Sequence, residues 1–132
     1  MKKSGILHPG LSKLIAETGH TDYVVVTDAG LPLPEEVNTR IDLALKEGSL
    51  PFLEVLDTVI DELAVEKIMI AEEIKTASPN MHDEIINRFS NAEIEYIPHI
   101  EFKERTKQAR GLVRSGEFTS YANVILVGGV VY

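Results

Sequence analysis

Five consecutive residues, Tyr23-Val-Val-Val-Thr27, constrain the fold of this chain more than any other segment. Side chains on a strand alternate between its two faces, so an unbroken apolar run needs cover on both sides, as in the interior of an α/β sheet. Flanking the run are Gly19-His20-Thr21-Asp22 and Thr27-Asp28-Ala29-Gly30, which bring a histidine and an acid to the two ends of one strand. Polar groups in loops at strand ends are where α/β folds place their chemistry, so His20 and Asp28 are the first candidates for function. Each has a bland reading as well. A histidine just past a helix C-terminus interacts with the negative end of the helix dipole. An Asp before Gly commonly accepts turn amides. One strand tying both positions together weakens the two bland readings jointly, because an acid near an imidazole orients it and holds its proton.

The remaining apolar residues support a single domain, since 132 residues with 44% hydrophobic side chains suffice for one core. A net charge of -8 disfavours binding to a phosphate backbone, so nucleic acid is not an expected partner. Cysteine is absent, which removes disulfides, thiol nucleophiles and thiolate metal sites and suits a reducing compartment; a cytoplasmic location is the expectation. Met1-Lys2-Lys3 is followed by no long apolar stretch, so neither a signal peptide nor a membrane span is expected.

Helical and strand-like patterns alternate along the chain. Leu11 to Glu17 reads as a first helix, with Leu11, Leu14 and Ile15 on one face and Gly19 ending it through a positive φ. Ala29 to Glu36 reads as loop because Pro32 and Pro34 lack amide donors and keep their predecessors extended. A strand over Arg40–Leu45 follows from alternation of Ile41, Leu43 and Leu45. Pro51 in a first turn, then Phe52, Leu56, Val59, Ile60 and Leu63 at helical spacing, predict a second helix. Ile68 to Ala71 and Glu93 to Ile97 read as strands, Ser78-Pro79 as a helix start before Met81, Ile85 and Phe89, and His99 to Lys107 as a helix. Extended chain over Gly111–Arg114 and a final strand from Asn123 through Tyr132 complete the pattern. The apolar ending Val130-Val131-Tyr132 predicts a place inside the sheet or against another subunit.

Two further residue pairs add polar groups. His99 and Lys103 lie one helical turn apart on one face, and Tyr121 and Asn123 share a face if they open the last strand. A phenol and an amide are costly to bury unsatisfied, and a polyhydroxylated ligand or a neighbouring loop would satisfy them. The basic stretch Lys103, Arg105, Lys107, Arg110 and Arg114 reads first as a solvated surface balanced by Glu101 and Glu104. A phosphosugar site is its functional alternative. His8, His20, His82 and His99 form no metal-ligand spacing, and neither a phosphate loop nor a Gly-x-Ser-x-Gly elbow is present, so no metal or cofactor is expected.

Several of these segments together resemble the ribose pyranase and fucose mutarotase family of small sugar-ring isomerases. They are Lys2-Lys3-Ser4-Gly5-Ile6-Leu7, Gly19-His20-Thr21-Asp22, Asp28-Ala29-Gly30-Leu31-Pro32, Ile94-Glu95-Tyr96, His99-x-Glu-Phe-Lys103 and Arg114-x-Gly-Glu117-Phe118-Thr119-x-Tyr121-Ala122-Asn123. The resemblance covers nearly the whole chain. It implies a catalytic proton donor at His20, sugar-binding groups at Asp28, His99, Tyr121 and Asn123, and Lys103 as a further pocket residue. It also implies a three-layer α/β/α sandwich with a mostly parallel or mixed central sheet. The expected assembly is a ring-like homo-oligomer, commonly a decamer, with pockets at or near subunit contacts. The implied reaction interconverts the pyranose and furanose forms of D-ribose without a cofactor and supplies the furanose to a kinase. A fucose-type mutarotase, or a noncatalytic sugar-binding module of a ribose transport system, is the alternative.

Overall fold

The computed structural model describes residues 1–132. Along the chain run α1 (Pro9–Glu17), β1 (Tyr23–Thr27), β2 (Thr39–Asp42), α2 (Phe52–Ile60), β3 (Val65–Ala71), α3 (Ile74–Ala77), α4 (Pro79–Asn87), β4 (Glu93–Ile97), α5 (His99–Thr106), β5 (Gly111–Arg114) and β6 (Val124–Gly128). The six strands form one mixed sheet in the order β2-β5-β1-β6-β3-β4. β6 runs antiparallel to both its neighbours, whereas the other pairings are parallel. β1 is interior to this sheet and Val24, Val25 and Val26 are all fully buried, as the unbroken apolar run requires.

Alternate residues of the strands serve two cores. On one face Val24, Val26, Ile68, Ile70, Val124 and Leu126 meet Leu11 and Leu14 of α1, Phe52 and Leu56 of α2, Ile74 of α3 and Ile85 of α4. On the other, Val25, Met69, Leu112, Ile125 and Val127 lie under Phe102 of α5 and under Leu31 and Val37 from the loop after β1. The architecture is therefore the expected α/β sandwich, with a thick layer of helices on one side and a thin one on the other. The thin layer matters for function, because a loop and one short helix cover that face at the carboxyl end of β1.

Several boundaries differ from the sequence reading for local reasons. α1 begins at Pro9 because the imidazole of His8 caps it, Nδ1 accepting from the Leu11 amide at 3.1 Å. Gly19 does not end that helix through a positive φ. Thr18 turns extended, its hydroxyl donates to the Leu14 carbonyl at 2.7 Å, and the positive φ of the turn falls on Thr21 at 69°. Pro51 stands one position before α2. β2 stops at Asp42 because its partner β5 stops at Arg114, so Leu43–Leu45 lie beyond the ladder. A short helix, α3, precedes α4, and the Ser78 hydroxyl donates to the Ser120 carbonyl rather than capping α4. β6 ends at Gly128, where its amide donates to the Asp22 carbonyl and that of Gly129 to Ala64. Val131 and Tyr132 are 89% and 101% exposed in the single chain. Tyr121 and Asn123 precede β6, and Tyr121 has φ 62°, so they do not share a strand face.

Candidate active site

The carboxyl end of β1 opens into a cleft of about 680 Å³, walled by Asp28–Pro32, by His99 and Lys103 of α5, and by Glu117–Tyr121 before β6. Three elements distant in sequence meet here because β1 is flanked by β5 and β6, whose adjoining loop carries residues 117–121.

Asp28 is held from several directions. Its Oδ1 accepts from the amides of Gly30 and Leu31, each at 2.9 Å, as an Asp in a turn does. Its Oδ2 accepts from Asn123 Nδ2 at 3.0 Å, and Asn123 Oδ1 accepts from the Asp28 amide at 2.9 Å. Asn123 is fully buried and spends both ends of its amide on Asp28. A carboxylate offers roughly four acceptor positions, so after three bonds one remains for a hydroxyl from the cleft.

His99 opens α5, and its backbone amide donates to both carboxylate oxygens of Glu73, at 3.1 and 2.9 Å. The ring stacks on Phe102 with centroids 6.2 Å apart and meets Tyr121 edge-on at 5.0 Å. Its Nδ1 is buried and has no hydrogen-bond partner. Burial holds the imidazole below its ordinary pKa of 6.5, and the nearby Lys103 ammonium adds to that, while Glu73 and Asp28 oppose it. The rest of the half-buried ring lines the cleft, where an imidazole whose charged form is disfavoured suits a hydroxyl-bearing ligand. In the basic stretch Arg105, Lys107, Arg110 and Arg114 pair with Glu101, Glu104, Asp22 and Asp42, as expected of a solvated surface. Lys103 alone of that stretch faces the cleft without a carboxylate partner.

His20 lies at the other end of β1, a five-residue strand that spans roughly 16 Å. Within one chain the structure thus gathers Asp28, His99, Lys103 and Tyr121, with Asn123 beneath them, and leaves His20 apart. The imidazole does have a carboxylate neighbour, but it is Glu66 rather than Asp28: His20 Nε2 and Glu66 Oε2 are 2.9 Å apart. Glu66 and Glu73 carried no signal in sequence, because their partners are 46 and 26 positions away. Glu117, whose carboxylate accepts from the Phe52 amide and the Thr119 hydroxyl, shapes the cleft wall from within a motif noted for resemblance alone. No three His, Asp or Glu side chains converge closely enough to hold a metal ion. No helix is long and apolar enough to cross a membrane.

The model of the RbsD / FucU transport protein family matches residues 1–131. The chain belongs to this family. Among curated RbsD/FucU relatives, the D-ribose pyranase of Geobacillus thermodenitrificans is 55% identical over 130 residues, covering 98% of each chain. That of Geobacillus kaustophilus is 50% identical over 132 residues, covering 100% of this chain and 96% of its own. Among solved structures, Bacillus subtilis RbsD complexed with D-ribose superposes with a TM-score of 0.96 at 48% identity, covering 100% of both chains. The fucose mutarotase of Streptococcus pneumoniae in complex with L-fucose gives 0.78 at 27% identity, covering 96% of this chain and 95% of that one. The mixed α/β sheet and the family resemblance read from the sequence are both borne out.

Proposed function

We propose that this protein is an intramolecular sugar isomerase that interconverts the β-pyranose and β-furanose forms of D-ribose. The observation that carries the reading is the full-length likeness to D-ribose pyranases and to RbsD complexed with D-ribose. The cleft adds chemical sense: Asp28 with one free acceptor position, the His99 imidazole in the wall, the Tyr121 phenol and the Lys103 ammonium suit a polyhydroxylated ligand. L-fucose is the second reading, supported by the lower likeness to the fucose mutarotase, and competition between the two sugars in one assay ranks them.

Pyranose opening moves protons but no electrons between substrate and enzyme. As the C1–ring oxygen bond breaks, the ring oxygen takes the bonding pair and a proton. The anomeric hydroxyl gives up its proton and becomes the aldehyde oxygen. Closure through the hydroxyl at C4 runs the same exchange in reverse and yields the furanose. His20, as imidazolium, donates the proton to the ring oxygen, and His99, kept neutral by burial, accepts the anomeric proton. Asp28 and Tyr121 grip hydroxyls, Lys103 donates to one of them, and Asn123 acts through Asp28 by fixing its carboxylate.

Because His20 stands apart from the cleft in a single chain, the reading requires a homo-oligomer in which one copy's His20 meets another copy's cleft. A ring-like decamer is the assembly we propose. The exposed Val130, Val131 and Tyr132, and Phe118 at the cleft rim, are apolar surface that subunit contacts would cover. A cytoplasmic enzyme of this kind would hand the furanose to a ribokinase.

Saturation-transfer NMR on D-ribose tests the activity. The protein is expected to accelerate pyranose–furanose exchange, and His20→Ala to lower the catalysed rate by about 10²- to 10⁴-fold. No acceleration by the wild-type protein, or full acceleration by His20→Ala, would contradict the reading.

A further inference from the structure

We infer that Glu66 is a positioning residue for His20, and that it makes Nδ1 the imidazole nitrogen that exchanges a proton with the sugar. The inference rests on the proposed role of His20 and goes beyond it by naming the atom that acts and the group that selects it.

Two independent features of the fold converge on Glu66. The first is the contact itself: Glu66 Oε2 lies 2.9 Å from His20 Nε2, with both side chains about half exposed, at 44% and 53%. A carboxylate only accepts, so the nitrogen it faces carries the hydrogen. The neutral imidazole is thereby fixed as the Nε2–H tautomer, with Nδ1 bare, and the imidazolium has Nδ1–H as the proton free to leave.

The second is the backbone that presents the carboxylate. In the ladder between β3 and β6, Val65 pairs with Gly128 and Lys67 with Val127, so Glu66 is the extra residue of a β-bulge. A bulge re-aims the side chain it carries and is a frequent device beside functional sites. The opposing turn is equally fixed. The Thr21 amide donates to Gly128 O at 2.9 Å, the Gly128 amide returns a bond to Asp22 O at 2.9 Å, and Asp22 Oδ2 accepts from Gly19 N at 2.9 Å and from Arg110 Nε at 2.7 Å. A Cβ at Gly128 would stand 2.5 Å from the Gly19 carbonyl oxygen, so only glycine allows the histidine turn to lie this close to β6. The bulge and the turn are thus held to the same two residues of β6, and their side chains meet.

Proton balance follows directly. The imidazolium gives its Nδ1 proton to the departing ring oxygen and remains as the neutral Nε2–H tautomer, with its hydrogen still donated to Glu66. In the reverse direction Nδ1 recovers a proton from the hydroxyl at C5 as the pyranose ring closes. Glu66 itself stays ionised and does not touch the sugar.

The test uses the assembled full-length protein labelled with ¹⁵N at histidine, with the variants E66Q and E66A. In wild type with the His20 ring neutral, ring ¹⁵N shifts should report a bare Nδ1 and a protonated Nε2. The Gln carboxamide can either accept from Nε2 or donate to it, so E66Q should show a tautomer mixture; E66A should show one too, for want of any partner. Catalysed exchange at saturating ribose should fall roughly tenfold or more in both, as when a carboxylate orienting a functional imidazole is removed, with KM unchanged. A merely structural Glu66 would leave the ¹⁵N pattern of a folded variant as in wild type. Protonated Nδ1 in the wild type, or variants with wild-type tautomer and rate, would overturn the assignment. If His20→Ala is inactive while E66A is fully active, Glu66 fails and the role of His20 stands; if His20→Ala is fully active, both fail.

Discussion

Asp28 accepts hydrogen bonds from Gly30, Leu31 and Asn123, so its carboxylate is oriented before any substrate arrives. Removing the buried partner should therefore cost both stability and affinity. Asn123→Ala strands the Asp28 amide, which Asn123 Oδ1 now satisfies, and urea unfolding should show a loss of about 1–3 kcal/mol, accompanied by weaker ribose binding. His99 carries a pH signature of its own. Its folded pKa lies below that of the unfolded chain, so the unfolded state binds the proton more readily; the stability tied to its neutral form is present above about pH 6.5 and is lost as pH falls through the folded value. Lys103→Met removes the cation beside it, and NMR titration should then find His99 protonating at a higher pH than in wild type. Both sequence readings of Asp28 prove compatible, since the turn amides leave one acceptor position for the cleft. Which carboxylate would face each histidine was not legible, because Glu66 and Glu73 reach their partners across other elements of the fold.

At the scale of elements, the segments whose identity is set by their own pattern were legible, and those whose ends are set by a neighbour were not. Tyr23–Thr27 is a strand because five residues demand cover on both faces, a requirement readable without knowing what supplies it. β2 and β6 carry apolar residues past their observed ends, but a ladder stops where its partner stops, and partners are not written in the strand itself. The pairing of Tyr121 with Asn123 on one face failed for a similar reason: Asn123 is drawn inward to Asp28 and Tyr121 turns through a positive φ before β6 begins. The glycine at the end of β6 offers the sharpest check at this scale. Gly128→Ala pushes a methyl group into the Gly19 carbonyl, so the turn bearing His20 must move. Circular dichroism should show the fold retained with a Tm several degrees lower, while ribose exchange falls far more than that stability loss alone explains.

Across the whole molecule, the sheet separates the two halves of the proposed site. Asp28, His99, Lys103 and Tyr121 gather at one end of β1, and His20 with Glu66 stands at the other. No hinge within a single chain can join them without dismantling the interior strand, so the proposed role of His20 needs two copies to combine. The apolar ending Val130–Tyr132, for which the sequence predicts a place inside the sheet or against another subunit, lies past β6 and is exposed in the isolated chain, so it is apolar surface that the proposed assembly would cover. Which residues meet across a subunit boundary is beyond the reach of periodicity, since it depends on the symmetry of the assembly. The most direct measurement is complementation between two inactive variants, His20→Ala and His99→Ala, dissociated together and reassembled at equal amounts. If each site takes His20 from one copy and His99 from another, random mixing should return roughly a quarter of the wild-type saturation-transfer exchange with D-ribose. Mixed assemblies no more active than the separate variants would contradict the account.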